Sequence, residues 1–185
     1  VHCHVGAMDK EQMLLFLKAC KPDQVIDATH PYATQVTENI KACCEFLHLP
    51  CERVCRPMDA GTWREYVQHV PNAAAAAAVL TMLPGRILLT TGSKTLGMYA
   101  KAVDPERIWA RVLPTTEALA LCQAAGILPS HIIAMQGPFS AAFNAALYDM
   151  YKFEILVTKD SGAQGGVPDK VIPALERDIH VILID

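Results

Sequence analysis

Asp27-Ala-Thr-His-Pro-Tyr-Ala33 follows a short apolar strand, Gln24-Val-Ile26, and runs directly into a helical pattern from Thr34. A strand that empties into a helix N-terminus puts backbone N–H groups and a positive dipole end at the carboxyl edge of a sheet. That edge is where α/β proteins hold phosphates and cofactors. Three loops of the same kind recur downstream: Thr90-Thr-Gly-Ser-Lys94, Met135-Gln-Gly-Pro-Phe-Ser140 and Thr158-Lys-Asp-Ser-Gly162. The chain reads as a scaffold for these four loops.

The pattern around the first loop fixes the class. Asp9 and Gln12 form a variant capping box ahead of a stripe of Met13, Leu14 and Leu17, closed by Lys21-Pro22. A helix over about 34–47 carries Val36, Ile40, Cys44 and Leu47, and Cys51–Cys55 forms the next strand. Residues 58–72 read as a short helix and a linker, and Ala73–Ala78 opens a helix that ends before Pro84-Gly85. Strands then recur at 86–90, 107–112, 131–135, 154–158 and 181–184, each but the last followed by a helical stretch. Helices capped by Thr115 or Thr116 and stopped at Gly126 complete the alternation. Such alternation predicts two Rossmann-like, doubly wound parallel-sheet α/β domains, 1–72 and 73–185, the first incomplete.

Composition narrows the partners. The 185 residues are 52% apolar and 19% charged, with a net charge of −3. No basic footprint speaks for nucleic acid, and no apolar run reaches the roughly 18 residues of a membrane span. Seven Cys, with no C-x-x-C pair, read as reduced, packed thiols of a cytoplasmic protein. His2-Cys-His4 is the one local metal-like cluster, and it lacks neighbouring ligands, so no metal site is expected.

The loops carry the chemistry. Asp27, Thr29, His30 and Tyr32 bring a carboxylate, a hydroxyl, an imidazole and a phenol within six residues. Pro31 pushes His30 toward an extended backbone, and turn chemistry is the competing account. Thr90–Lys94 offers hydroxyls, an ammonium and a Gly that permits close approach of an anion, against a plain strand-to-helix turn with a solvated Lys. It is not a P-loop, because Met98 and Tyr99 stand where Lys and Ser/Thr belong. Gln136 is placed to read a polar edge, and Ser140 to cap a helix with Asn144 one turn on. Lys159 and Asp160 bring opposite charges to a strand end, or pair with each other at the surface. No G-x-G-x-x-G occurs. These patterns alone give an α/β protein that binds an anionic ligand.

Five motifs in order resemble the precorrin-6A reductase family, which includes the cobalt-precorrin-6A reductases of the anaerobic cobalamin pathway. They are Asp27–Ala33, Leu89–Lys94, Arg111-Val-Leu-Pro114, Ile133–Ser140, and Val157–Gly162 with Gly165, Gly166 and Lys170. The resemblance runs from about residue 12 to 184. It implies a cytoplasmic oxidoreductase of corrin-ring biosynthesis that moves a hydride from NADPH or NADH to a carbon–carbon double bond of the macrocycle. The partner it implies is a tetrapyrrole substrate, alongside other enzymes of the pathway, with neither nucleic acid nor membrane.

The same resemblance assigns residues. Thr29, His30 and Pro31, together with Gly92, Ser93 and Lys94, fall to the nicotinamide cofactor. Lys159, Asp160, Ser161, Gly162 and Lys170 fall to the macrocycle, whose many carboxylates also give Arg56 a partner, with substrate residues Gln136 and Ser140 at the junction; the two sites adjoin, and the exchanged assignment is the alternative. His30 is the expected proton donor, with Tyr32, Lys159 or water as alternatives. Members of the family open with a strand and a Gly-Gly-Thr loop, so this chain reads as starting after that unit. Two other readings stand beside the reductase: a methyltransferase of the same pathway, for which no S-adenosylmethionine site is visible, and a non-catalytic dinucleotide- or anion-binding α/β module.

Overall fold

The computed structural model describes residues 4, 6–29, 34–54, 62–161 and 166–185. The chain divides into two units, Val1–Pro57 and Met58–Asp185. The division falls at Pro57 rather than near residue 72. Residues 63–70 are not a linker: Trp63 is buried in the core of the second unit, and Gln68–Val70 is a strand of its sheet.

In the first unit, α1 (Lys10–Cys20) starts at the expected capping box. The Asp9 carboxylate accepts from the Gln12 N–H, and Gln12 Oε1 accepts from the Asp9 N–H. It stops where Lys21 turns left-handed at φ 46°. Strand β1 (Val25–Asp27) leads to α2 (Thr34–Leu47) and β2 (Cys51–Arg53), and β1 pairs with β2 in parallel, Asp27 opposite Arg53. Helix α2 packs on α1, and the Cys43 thiol donates to the Lys10 carbonyl. Its buried face is Thr37, Cys43 and Cys44, while Val36, Ile40 and Leu47 are half-buried.

The second unit is a six-stranded, wholly parallel sheet. In chain order its elements are β3 (Gln68–Val70), α3 (Ala73–Leu80), β4 (Ile87–Leu89), α4 (Leu96–Ala102), β5 (Ile108–Val112) and α5 (Thr116–Ala124). After these come β6 (Ile132–Ala134), α6 (Ala141–Tyr151), β7 (Ile155–Lys159), α7 (Val167–Leu175) and β8 (His180–Ile184). The spatial order is β3-β8-β7-β4-β5-β6. Asn72 caps α3, Thr115 caps α5 and Ser140 caps α6, each accepting a first-turn N–H. Gly126, at φ +73°, follows α5 as its composition predicts.

Side-chain alternation sorts the strands into two cores. Ile87, Leu89, Ile108, Ala110, Ile155, Val157 and Ile182 face the layer of α3, α4 and α5. Leu88, Trp109, Leu156, Val181 and Leu183 face that of α6 and α7. Each fully buried Leu or Ile contributes about 1.5–3 kcal/mol, so both layers are needed to hold the sheet. The doubly wound parallel expectation is met in this unit, and burial on both faces explains the near-continuous apolar runs of β4, β5, β7 and β8.

Candidate functional site

Strand order sets the location. β4 passes through α4 on one face to β5, while its neighbour β7 passes through α7 on the other face to β8. The carboxyl ends of β4 and β7 are therefore a topological switch point, where the two following loops part and leave a crevice. The loop after β4 is tied down at its start: the Thr90 N–H and hydroxyl both donate to the Val157 carbonyl, at 2.9 and 3.1 Å. Gly92 then takes φ +85°, a conformation that side-chain-bearing residues rarely adopt. A Cβ there would meet nothing within 4 Å, so conformation rather than room calls for glycine.

A cavity of about 230 Å³ opens here, lined among others by Thr90, Gly92, Arg111, Met135, Phe139 and Lys170. Arg111 reaches it because the alternation along β5 turns its side chain into the α6–α7 layer, where an apolar residue is the rule. It is only 6% exposed. One guanidinium N–H donates from Nη1 to Asn144 Oδ1 at 2.6 Å, and the group lies 4.5 Å from the centroid of Phe139. Phe139 in turn stacks on Phe143 at 5.0 Å. Asn144, with no exposed surface, donates from Nδ2 to the carbonyls of Ser140 and Asp169. The hydroxyl of buried Tyr148 donates to the Lys170 carbonyl at 3.0 Å.

The electrostatics are one-sided. Burial pushes Arg111 below its ordinary pKa. Lys170 is pushed down too, by burial first and by the Arg111 charge second. Burial raises the Tyr148 phenol, which stays neutral. No carboxylate is among the described lining residues. Such a cavity suits an anion, because buried positive charge is costly until something negative meets it.

The residues singled out in the sequence fare differently. Gly92 and Lys170 line the same cavity. Ser93 sits half-buried in a 3₁₀ turn and Lys94 is exposed; neither lines it. Gln136, Lys159 and Ser161 are exposed. The Ser140 hydroxyl accepts from the Phe143 N–H as the α6 cap. Asp160 pairs with Arg64 at 2.7 Å, not with Lys159. Thr29 gives its N–H and its hydroxyl to Asp27, at 3.0 and 2.6 Å, and its hydroxyl also meets that of Thr37. His30, Pro31, Tyr32, Arg56 and Gly162 lie outside the described residues.

Arg111 and Asn144 were missed as site residues. The available signal is an Arg at the fourth position of the otherwise apolar run Ile108-Trp-Ala-Arg-Val112, where alternation turns it toward the side of Trp109. Among the described residues no group of three or more His, Cys, Asp or Glu is placed to hold a metal ion, and no helix is long and apolar enough to cross a membrane.

The family model for "Precorrin-6x reductase CbiJ/CobK" matches residues 1–185. A cobalt-precorrin-6A reductase of Salmonella typhimurium is 37% identical over 180 residues, 97% of this chain and 68% of that protein. One from Methanothermobacter thermautotrophicus is 38% identical over 190 residues, 97% of this chain and 60% of that one. A precorrin-6A reductase of Rhodobacter capsulatus is 31% identical over 162 residues, 87% of this chain and 61% of its relative. Among solved structures, a "CobK precorrin-6A reductase" superposes with a TM-score of 0.52 at 28% identity, covering 97% of this chain and 71% of that one.

Proposed function

This chain belongs to the precorrin-6x reductase CbiJ/CobK family, and we propose that it serves the reduction of the precorrin-6A macrocycle, or its cobalt form, in cobalamin biosynthesis. The observation that carries this reading is the glycine loop at the β4–β7 switch point, in a chain that matches the family from end to end. The electron donor in this proposal is NADPH or NADH, and the compartment is the cytoplasm.

The residues present suit a nicotinamide nucleotide. Gly92 leaves open space and bare backbone at the crevice, and Thr90, Ser93 and Lys94 bring hydroxyls and a cation to the same loop. Gly92, Ser93 and Lys94, with Thr29, His30 and Pro31, are the proposed contacts to that group. When bound, it supplies the hydride. The protein's own work is orientation, exclusion of water and delivery of one proton at the neighbouring carbon, for which His30 is proposed. Gln136, Ser140, Lys159, Asp160, Ser161, Gly162 and Lys170 remain the proposed macrocycle residues, with Asp160 acting through its pair with Arg64.

The test is anaerobic turnover of the full-length protein with precorrin-6A or its cobalt form, and NADPH or NADH in turn, read at the nicotinamide absorbance. Oxidation that depends on the macrocycle establishes the reaction and names the donor. Protein that binds nucleotide yet oxidises none with either macrocycle is a binding module instead.

A further inference from the structure

We propose that Arg111 and Lys170 form a subsite for a single oxyanion, a carboxylate or a phosphate, with Arg111 set in place by Asn144 and Phe139. The identity of that oxyanion, a carboxylate arm of the macrocycle or a phosphate of the nucleotide, rests on the reductase reading; the subsite itself does not.

Arg111 supplies the main argument. It is 94% removed from solvent, counted from its 6% exposure, and its one hydrogen-bond partner among the described residues is a neutral amide. Buried arginines are ordinarily paired with a carboxylate. Here the amide fixes the guanidinium without neutralising it, and Phe139 covers it as an aromatic partner. The remaining N–H groups of its planar fork match the two oxygens of a carboxylate or phosphate.

Lys170 supplies the second charge. Lys170 lines the same cavity, and its ammonium makes neither hydrogen bond nor ion pair among the described residues. Its backbone is held by Tyr148, and the turn before it is held by Asn144 through the Asp169 carbonyl, so one network aligns both cations. The Asp169 carboxylate, next to Lys170 in the chain, approaches Gly166 and is not among the described lining residues. At about 230 Å³ the cavity is smaller than sites that enclose a whole organic ligand, and suits one acidic arm.

Two measurements on the full-length protein test this. The first is anaerobic steady-state turnover of Arg111→Gln and Lys170→Met with varied cobalt-precorrin-6A and varied nucleotide. One lost charge-assisted contact raises the KM of the ligand that owns the oxyanion about 10- to 100-fold and leaves the other KM unchanged. A rise for the macrocycle assigns a carboxylate arm; a rise for the nucleotide assigns a phosphate. Both KM values within about twofold of wild type, in folded variants, overturn the proposal. The second is the shift in melting temperature caused by inorganic pyrophosphate and by tricarballylate. Stabilisation of the wild type that Lys170→Met and Arg111→Gln lose supports the subsite even if the protein turns nothing over, a result that would sink the reductase reading alone. Equal stabilisation of variants and wild type overturns the subsite. Lys170→Met carries the test if Arg111→Gln does not fold.

Discussion

Arg111 donates to Asn144 across 2.6 Å in an interior where Asn144 has no exposed surface. An aspartate at that position would hold the guanidinium equally well and cancel its charge. The asparagine positions the cation and leaves its charge available, while its own Nδ2 ties the start of α6 to the start of α7 through the Ser140 and Asp169 carbonyls.

Asn144→Ala therefore strands a buried cation and the Asp169 carbonyl, whose helical partner position is Pro173, while the Ser140 carbonyl keeps the backbone N–H of residue 144. The expected loss is about 2–4 kcal/mol of unfolding free energy. Urea titration of the second unit's transition measures it, and a loss below about 1 kcal/mol would show that water replaces the amide without penalty.

Gly92→Ala separates conformation from space. With φ at +85° and no atom within 4 Å of the added Cβ, the variant suffers backbone strain but no clash. About 1–2 kcal/mol of destabilisation is expected, together with a higher KM for the nucleotide. Unchanged thermal stability would mean that the loop relaxes out of the left-handed region.

Asp27 links the first unit to pH. Burial alone would raise its carboxyl. Hydrogen bonds from the Thr29 side chain and backbone and from Thr37, with the Arg53 charge 3.1 Å away, outweigh burial and hold it below its ordinary 3.8. A folded-state value below the unfolded one gives stability that is fully present above the unfolded value. That stability is lost as pH falls through the folded one. Urea unfolding of the first unit along a descending pH series should show this loss, and Asp27→Asn should remove the dependence. Identical acid profiles for the two proteins would assign the acid limb elsewhere.

Lys170 sets an alkaline limb. The Arg111 guanidinium is the charged group that acts on it, and the neutral Tyr148 phenol donates to its backbone carbonyl. Burial first and Arg111 second lower its pKa, so it loses its proton at a lower pH than an ordinary lysine. Oxyanion affinity is thus present below that value and falls as pH rises through it. Titration of pyrophosphate against pH, repeated with Lys170→Arg, should show the limb in the wild type and its absence in the variant. A limb that survives Lys170→Arg would belong to another group.

Local rules make much of both units legible in the sequence. The Asp9–Gln12 capping box, the Ser140 and Thr115 caps, the turn at Gly126 and the apolar runs of β4, β5, β7 and β8 depend on residues a few positions apart. Their backbone preferences hold wherever the segment ends up. The same holds for Gly92, marked as a close-approach glycine by its own loop. Tertiary structure alone decided which distant segments meet. Gln68-His-Val70 is too short to carry a readable period, and it becomes a strand only because β8 offers an edge, Gln68 opposite Ile182. Asp160 stands next to Lys159, just past the end of β7, yet pairs with Arg64, a residue far away in the chain. Arg111, Asn144 and Lys170 converge through the order of β4, β5 and β7 and the packing of α6 on α7. That arrangement is fixed by non-local burial rather than by any spacing along the chain.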